Sequence, residues 1–284
     1  MPALKRSTKM LNRYFGGHAL ETIRDGRILS SRLGDYNDPF ELKYSPKREY
    51  TEGELTEMVN NRIQSQEFKK VVQQTAPGMT DQQLASLMLN KKNQNNLRGQ
   101  MPEIMEKVLN EAVTTFDDRL RVICFSGPQS LADEVLMWSL YANSHKGWRL
   151  GFEFPEEGMP FQLRDIDYDS NRVEIANNGL DREDYPEKLF DSIHTKSKSW
   201  EYENEKRLTT AKRLLVEKPL QNGELGYFLP FRAEHLKRVD FGLRSDDATN
   251  HEILRMLNES YPDTQCFQAE LHKSEFSLTY RRLN

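Results

Sequence analysis

Apolar and polar positions follow two rhythms along this chain, and the rhythm changes twice. Near the start, "MLNRYF" reads as a short strand. "GGHALETIRDGR" reads as a short helix with Leu20 and Ile23 on one side and Gly26 as its C-terminal stop. "ILSSRL" is a second short strand. "GDYNDPFE" is a turn-rich loop, because Asn-Asp-Pro disfavours helix and strand alike. From about residue 51 to residue 117 the spacing is helical. Thr80 and Gln83 form a capping box, and Ile104, Met105, Val108, Leu109, Ala112, Val113 and Phe116 recur at helical intervals.

After residue 118 strands dominate. "LRVICFS", "KGWRLGFEF", "LRDIDYD", "ENEKRLTTA", "LGYFLPF" and "HLKRVDFGL" each read as a strand. "LADEVLMWSLYANSH", "PEKLFDSIHTKS" and "ATNHEILRMLNESYP" read as helices, and "QCFQAELHKSEFSLTYRRL" as a closing hairpin. There is no internal repeat and no long linker. The pattern predicts an α+β fold with a mixed, mostly antiparallel sheet, forming a single domain over 1–284 with a helical insertion at 51–117.

Composition narrows the partners. The 284 residues suffice for one large domain or two modest ones, and with 37% hydrophobic and 10% aromatic residues there is bulk for a core. The net charge of −4 offers no global basic field for nucleic acid or an acidic membrane. No apolar run approaches the roughly 20 residues of a membrane span, and the basic N-terminus lacks the apolar stretch of a secretory signal. Cys124 and Cys266, in strand-like surroundings without metal-ligand spacing, read as buried thiols of a reducing compartment. A soluble cytoplasmic protein without a membrane partner is the expectation.

Several chemistries lack their signatures. The sequence holds no phosphate loop, no Gly-x-Gly-x-x-Gly, no Gly-x-Ser-x-Gly and no His-Glu-x-x-His, and its six histidines are scattered, so no metal site is expected. Three stretches remain. In "WEYENEKRLTT", an extended backbone places Glu201, Glu203, Glu205 and Arg207 on one face. In a helix Glu203 and Glu205 would diverge by about 200°. The stretch is either an edge strand guarded by its charges or a paired-carboxylate site. In "NDPFE", Asn37 and Asp38 shape a loop that is either structural or the rim of a pocket, with Phe40 as anchor and Glu41 in need of a cation or water. In "MWSLYANSHKG", Trp138, Tyr141 and His145 fall at helical spacing, which gives either a structural histidine or an aromatic platform for a nucleobase or nicotinamide ring.

These motifs together resemble a bacterial family known as a domain of unknown function. The matching residues are Asn37, Asp38 and Glu41; Met137, Trp138, Tyr141, His145 and Gly147; Trp200, Tyr202, Glu203, Glu205 and Arg207. That resemblance carries no reaction. A second, weaker likeness is to ADP-ribosyltransferases, in the order "LNRYF", "GGHALETIRDGR", "ILSS", "YENEKRL". It implies a split sheet and NAD as substrate. Arg13 would hold the phosphate or ribose, Tyr14 would stack on the ring, and Ser30 or Ser31 would support the nicotinamide ribose. Glu205 would bond the ribose 2′-hydroxyl, and Glu203 would orient the acceptor. The "NDPFE" loop is not part of the transferase pattern.

The leading expectation is therefore an NAD-using ADP-ribosyltransferase-like enzyme or NAD glycohydrolase, of the kind found among bacterial toxins and phage-defence effectors. Its small-molecule partner is a nucleotide, and the macromolecular acceptor and oligomeric state stay open. The alternatives are a nucleotide-binding sensor gripping its ligand with the "NDPFE" loop and the Trp138, Tyr141 and His145 face, and a protein-interaction module using the helical insertion.

Overall fold

The computed structural model describes residues 10–36, 38, 40, 45–46, 51–155, 161–175, 190–220 and 222–284. Asn37 and Glu41 of the "NDPFE" motif lie outside the described residues, as do the first four residues of "PEKLFDSIHTKS"; the helix expected there continues over 190–193, but the end of the stretch, Thr195–Ser197, is a strand. The chain divides into two compact units. One comprises Met1–Pro39, Asp117–Ser170 and Lys196–Asn284, the other Phe40–Phe116 and Asn171–Thr195.

The first unit has an α+β fold around a mostly antiparallel mixed sheet. Its strands are β1 (Leu11–Phe15), β2 (Arg27–Leu29), β4 (Leu120–Ser126), β5 (Trp148–Phe152), β6 (Gln162–Asp165), β7 (Asp167–Asp169), β9 (Thr195–Ser197), β10 (Glu205–Ala211), β11 (Val216–Pro219), β12 (Leu225–Pro230), β13 (Leu236–Phe241), β14 (Gln265–Leu271) and β15 (Leu278–Arg282). Eight of them form one sheet in the order β15-β14-β13-β5-β1-β4-β10-β6. Within it only β13 and β14 run parallel, joined by the helix α7 (Asp247–Ser260). β11, β12 and β2 make a second sheet, and β7 pairs with β9.

Strand alternation sorts the side chains onto two faces. Leu11, Leu150, Phe152, Val239 and Phe241 point to one core, which α1 (Ala19–Asp25) and α7 cover with Ile23, Ile253 and Leu257. Tyr14 and Leu278 face the other side and meet Met137 and Trp138 of α6 (Leu131–Tyr141). α1 ends as its sequence predicts, at Gly26 with a φ of 61° in the left-handed region that glycine enters freely. The stretch "LRDIDYD" is two strands instead of one, because Ile166 turns inward between β6 and β7 and its N–H donates to the Glu205 carbonyl.

Where β1 and β4 meet, the sheet is loosely joined. Asn12 opposite Ser126 is the one register pair between them, whereas β1 and β5 pair through five residues each. Further along β4, Val122 pairs with Ser31 of the chain leaving β2.

The second unit holds α2 (Glu52–Gln64), α3 (Gln66–Thr75), α4 (Asp81–Met88) and most of α5 (Lys91–Arg119), with β3 (Ser45–Pro46) parallel to β8 (Glu174–Ile175). Val59 and Ile63 of α2 pack with Leu84 of α4. Thr80 and Gln83 make the capping box that the sequence predicts, and Thr51 with Glu54 makes another.

Candidate functional site

The segment from Lys196 to Arg207 does not run as one strand. Lys198–Glu203 forms a 3₁₀ turn that ends at Asn204, whose φ is 43°. Asparagine tolerates this left-handed geometry, and β10 begins only after it. The expected single face for Glu201, Glu203, Glu205 and Arg207 is thus corrected. Glu203 belongs to the turn, and Glu201 is exposed. Nor is β10 an edge strand, since it lies between β4 and β6.

The turn nevertheless brings the two carboxylates together. Glu203 and Glu205 are each 4% exposed, and Arg207 is sealed. The Lys196 ammonium reaches both acids, with Nζ 2.6 Å from Glu203 Oε2 and 3.2 Å from Glu205 Oε2. Arg207 holds the other oxygen of Glu205, with Nη2 and Nε 2.7 and 2.8 Å from Oε1. The Tyr141 hydroxyl donates to Glu203 Oε1. The Glu205 N–H donates to the Tyr168 hydroxyl at 2.7 Å. Trp200 lies under the ammonium, its ring centre 4.9 Å from Lys196 Nζ.

The two acids are driven apart in proton affinity. Burial raises Glu203 above the ordinary carboxylate range, and Lys196 and Tyr141 only partly offset it. For Glu205 burial also acts upward, but Arg207 and Lys196 outweigh it and the net shift is downward. Burial followed by the Glu203 charge raises Tyr141, so its hydroxyl keeps its proton and stays a donor. One acid of the pair is thus firmly ionised, and its neighbour holds a proton to higher pH than a free glutamate.

Arg13 is placed differently. It sits opposite Leu150, on the side of β1 that carries Leu11 and Phe15. Glu205 is opposite Ser126, which is opposite Asn12, so Glu205 shares the Tyr14 side of the sheet. The expected direct convergence of Arg13 with Glu205 is corrected by this alternation. One group is common to both: Cys124 acts on the charge of Arg13 and bonds Glu205, while Tyr36 acts on Arg13 and its ring lies 4.9 Å from the Arg207 guanidinium carbon. Arg13 Nη1 is buried without a hydrogen-bond partner, and desolvation lowers the affinity of this guanidinium for its proton. Cys124 is half-buried, in contrast to the buried thiol expected from its strand.

The remaining candidates serve the framework. Ser30 Oγ donates to the Tyr227 carbonyl, and the Ser31 backbone bridges to Val122. Asp38 is buried. The Tyr14 hydroxyl donates to Gln129, and its ring meets Trp138 edge-on at 5.3 Å, so it is not free to stack on a ligand. Trp138 is fully buried and donates to the Tyr280 hydroxyl, which makes it core and not a platform. The helix was expected to carry His145 on the same face, but α6 stops at Tyr141. Asn143, Ser144 and His145 then all adopt left-handed φ values of 47°, 54° and 66°. The His145 ring folds back parallel to Trp138, with Nε2 3.0 Å from Ser139 Oγ. Burial and then Arg244 lower its proton affinity. Gly147 follows because a Cβ there would lie 1.9 Å from the Phe15 carbonyl oxygen.

Lys196 and Tyr168 escaped the sequence reading. Neither belongs to a spacing motif, and both reach the acids by tertiary pairing. The signal for the turn was Asn204 itself, a residue suited to breaking an extended run between two glutamates. Among the described residues, no group of three or more His, Cys, Asp or Glu could hold a metal ion, and no helix is long and apolar enough to cross a membrane. Comparison with protein-family models, with curated proteins and with solved structures gives no match to this chain.

Proposed function

We propose that the first unit cleaves the N-glycosidic bond of NAD, as a glycohydrolase or an ADP-ribosyltransferase-like enzyme, with Glu205 and Glu203 as its catalytic pair. The observation that carries this reading is the pair of buried acids, bridged by one lysine and shifted in opposite directions.

The chemistry asks for that division. As the bond between ribose C1′ and the nicotinamide nitrogen breaks, its electron pair leaves with nicotinamide and positive charge builds on the sugar. Ionised Glu205 faces that charge or bonds the 2′-hydroxyl, an interaction stronger in the transition state than in the ground state. Glu203, with its raised proton affinity, takes the proton of the attacking water or acceptor hydroxyl. The products are nicotinamide, ADP-ribose bound to the incoming oxygen, and one proton. Both Oε2 atoms touch one Nζ, so they lie no more than about 6 Å apart, a bound that admits the roughly 5–5.5 Å of carboxyl pairs that work on a single sugar bond.

A second reading, favoured by the burial of Arg207 and Glu205, makes the cluster a structural ion network in which Lys196 fastens β10 to β9. Incubating the pure protein with NAD and measuring released nicotinamide separates the two. The enzymatic reading expects turnover by the parent and a loss on the order of 10²-fold or more in Glu205→Gln. Folding of the variant is checked by its circular dichroism spectrum. No turnover by the parent, or equal turnover by parent and variant, selects the structural network.

A further inference from the structure

We infer that Lys196 is a positioning residue of this site, its single ammonium turning the carboxylates of Glu203 and Glu205 toward one point and fixing which of them carries the proton. This rests on the function proposed above and deepens it.

Three features of the geometry carry it. Lys196 Nζ contacts Oε2 of both acids, while Arg207 bonds Oε1 of Glu205. Lys196 is therefore the cation whose loss would leave Glu203 with a tyrosine hydroxyl as its strongest remaining donor. The ammonium is held from below by Trp200, and Lys196 as a whole is 9% exposed, so water cannot readily replace it. Finally, Glu203 and Glu205 come from different elements, a 3₁₀ turn and a strand, and Lys196 is the side chain that spans them.

The surroundings of Glu203 fix the sign of the effect. Facing it are Lys196 of β9, Glu205 of β10, Tyr141 of α6, Tyr168 of β7 and its neighbour Tyr202. Arg207 and Cys124 bear on Glu205 from behind. Lys196 and the Tyr141 hydroxyl favour the ionised form of Glu203, and burial and the Glu205 charge oppose it. Removing the ammonium leaves two buried carboxylates facing each other, and such a pair takes up a proton.

The test follows the Glu203 carboxyl carbon by NMR across a pH titration of the full chain, with the signal assigned by its loss in Glu203→Gln. In Lys196→Met the midpoint is expected to rise by about one unit or more, a tenfold gain in proton affinity. Lys196→Arg, which keeps the charge, is expected to return most of that shift. If Lys196→Met does not fold, Lys196→Gln, which keeps an N–H donor without the charge, is read in its place. An unmoved midpoint in the uncharged variant, or an arginine variant that behaves like it, overturns the inference. With NAD as substrate, the acid limb of the kcat profile is expected to move up by the same interval, an effect that loss of packing alone would not give. A parent that releases no nicotinamide overturns the function proposed above, while the titration still decides the role of Lys196.

Discussion

Two buried charge networks lie on the same face of the central sheet, and they are built differently. In one, Arg149 is the hub. Its Nε is 2.8 Å from Asp240 Oδ2, its Nη1 meets Glu134, and the rings of Tyr14, Trp138 and Tyr280 surround the guanidinium within 6 Å. Burial works against its charge, but Asp240, the two tyrosines and Glu134 outweigh it, and the guanidinium is held more firmly protonated than usual. In the other, Lys196 sits between two acids that move in opposite directions. The first network settles its charges. The second pushes the proton affinities of two neighbouring acids in opposite directions.

The comparison can be broken in three ways. The largest effect is expected from Arg149→Met. It leaves Glu134 without Arg149 and strips fully buried Asp240 of one of its arginines, Arg238 remaining 2.7 Å from Oδ1, and it should cost about 3 kcal/mol in urea denaturation. A loss well under 1 kcal/mol would show that the hub is not structural. An intermediate effect concerns acid. Glu205 has a depressed folded value, so its contribution to stability is complete above its ordinary value of 4.5 and is lost as the pH falls through the depressed one. Glu203 has the opposite sign, and its contribution weakens as the pH rises through its raised value. Glu205→Gln should therefore flatten the loss of the urea midpoint as the pH falls below 4.5. An unchanged slope contradicts the assignment. The smallest effect is chemical. Burial pushes the Cys266 thiol up to about 12, while Cys124 is half-exposed. At pH 8 a thiol reagent should label Cys124 in the native protein and reach Cys266 only on unfolding. Equal labelling rates would mean that β14 opens freely.

Much of the sheet was legible because strands write themselves locally. "LRVICFS" became β4 residue for residue, and the Gly26 stop and the Thr80 box stand where the sequence puts them. The site was legible only in part. Glu203, Glu205 and Arg207 stood out as a charged run, but their geometry depends on one left-handed asparagine that interrupts the alternation. Lys196 and Tyr168 act through contacts that no local pattern encodes. Trp138 and His145 show the opposite error. Their spacing suggested a shared helical face, yet the helix is halted by a left-handed turn clamped against Gly147 and Gly242.

The position of β1 also bears on how the chain comes off the ribosome. Among the described strands this one is made first, but it lies in the middle of the sheet, and its partners β4 and β5 begin at Leu120 and Trp148. It therefore emerges with both edges unsatisfied and stays so while more than a third of the polypeptide is synthesised. Closing such a long loop adds little thermodynamic penalty, because the entropy grows only with the logarithm of its length. It does lengthen the interval in which a bare strand is open to wrong partners, so the nascent chain is most vulnerable to aggregation before Phe152 has been added.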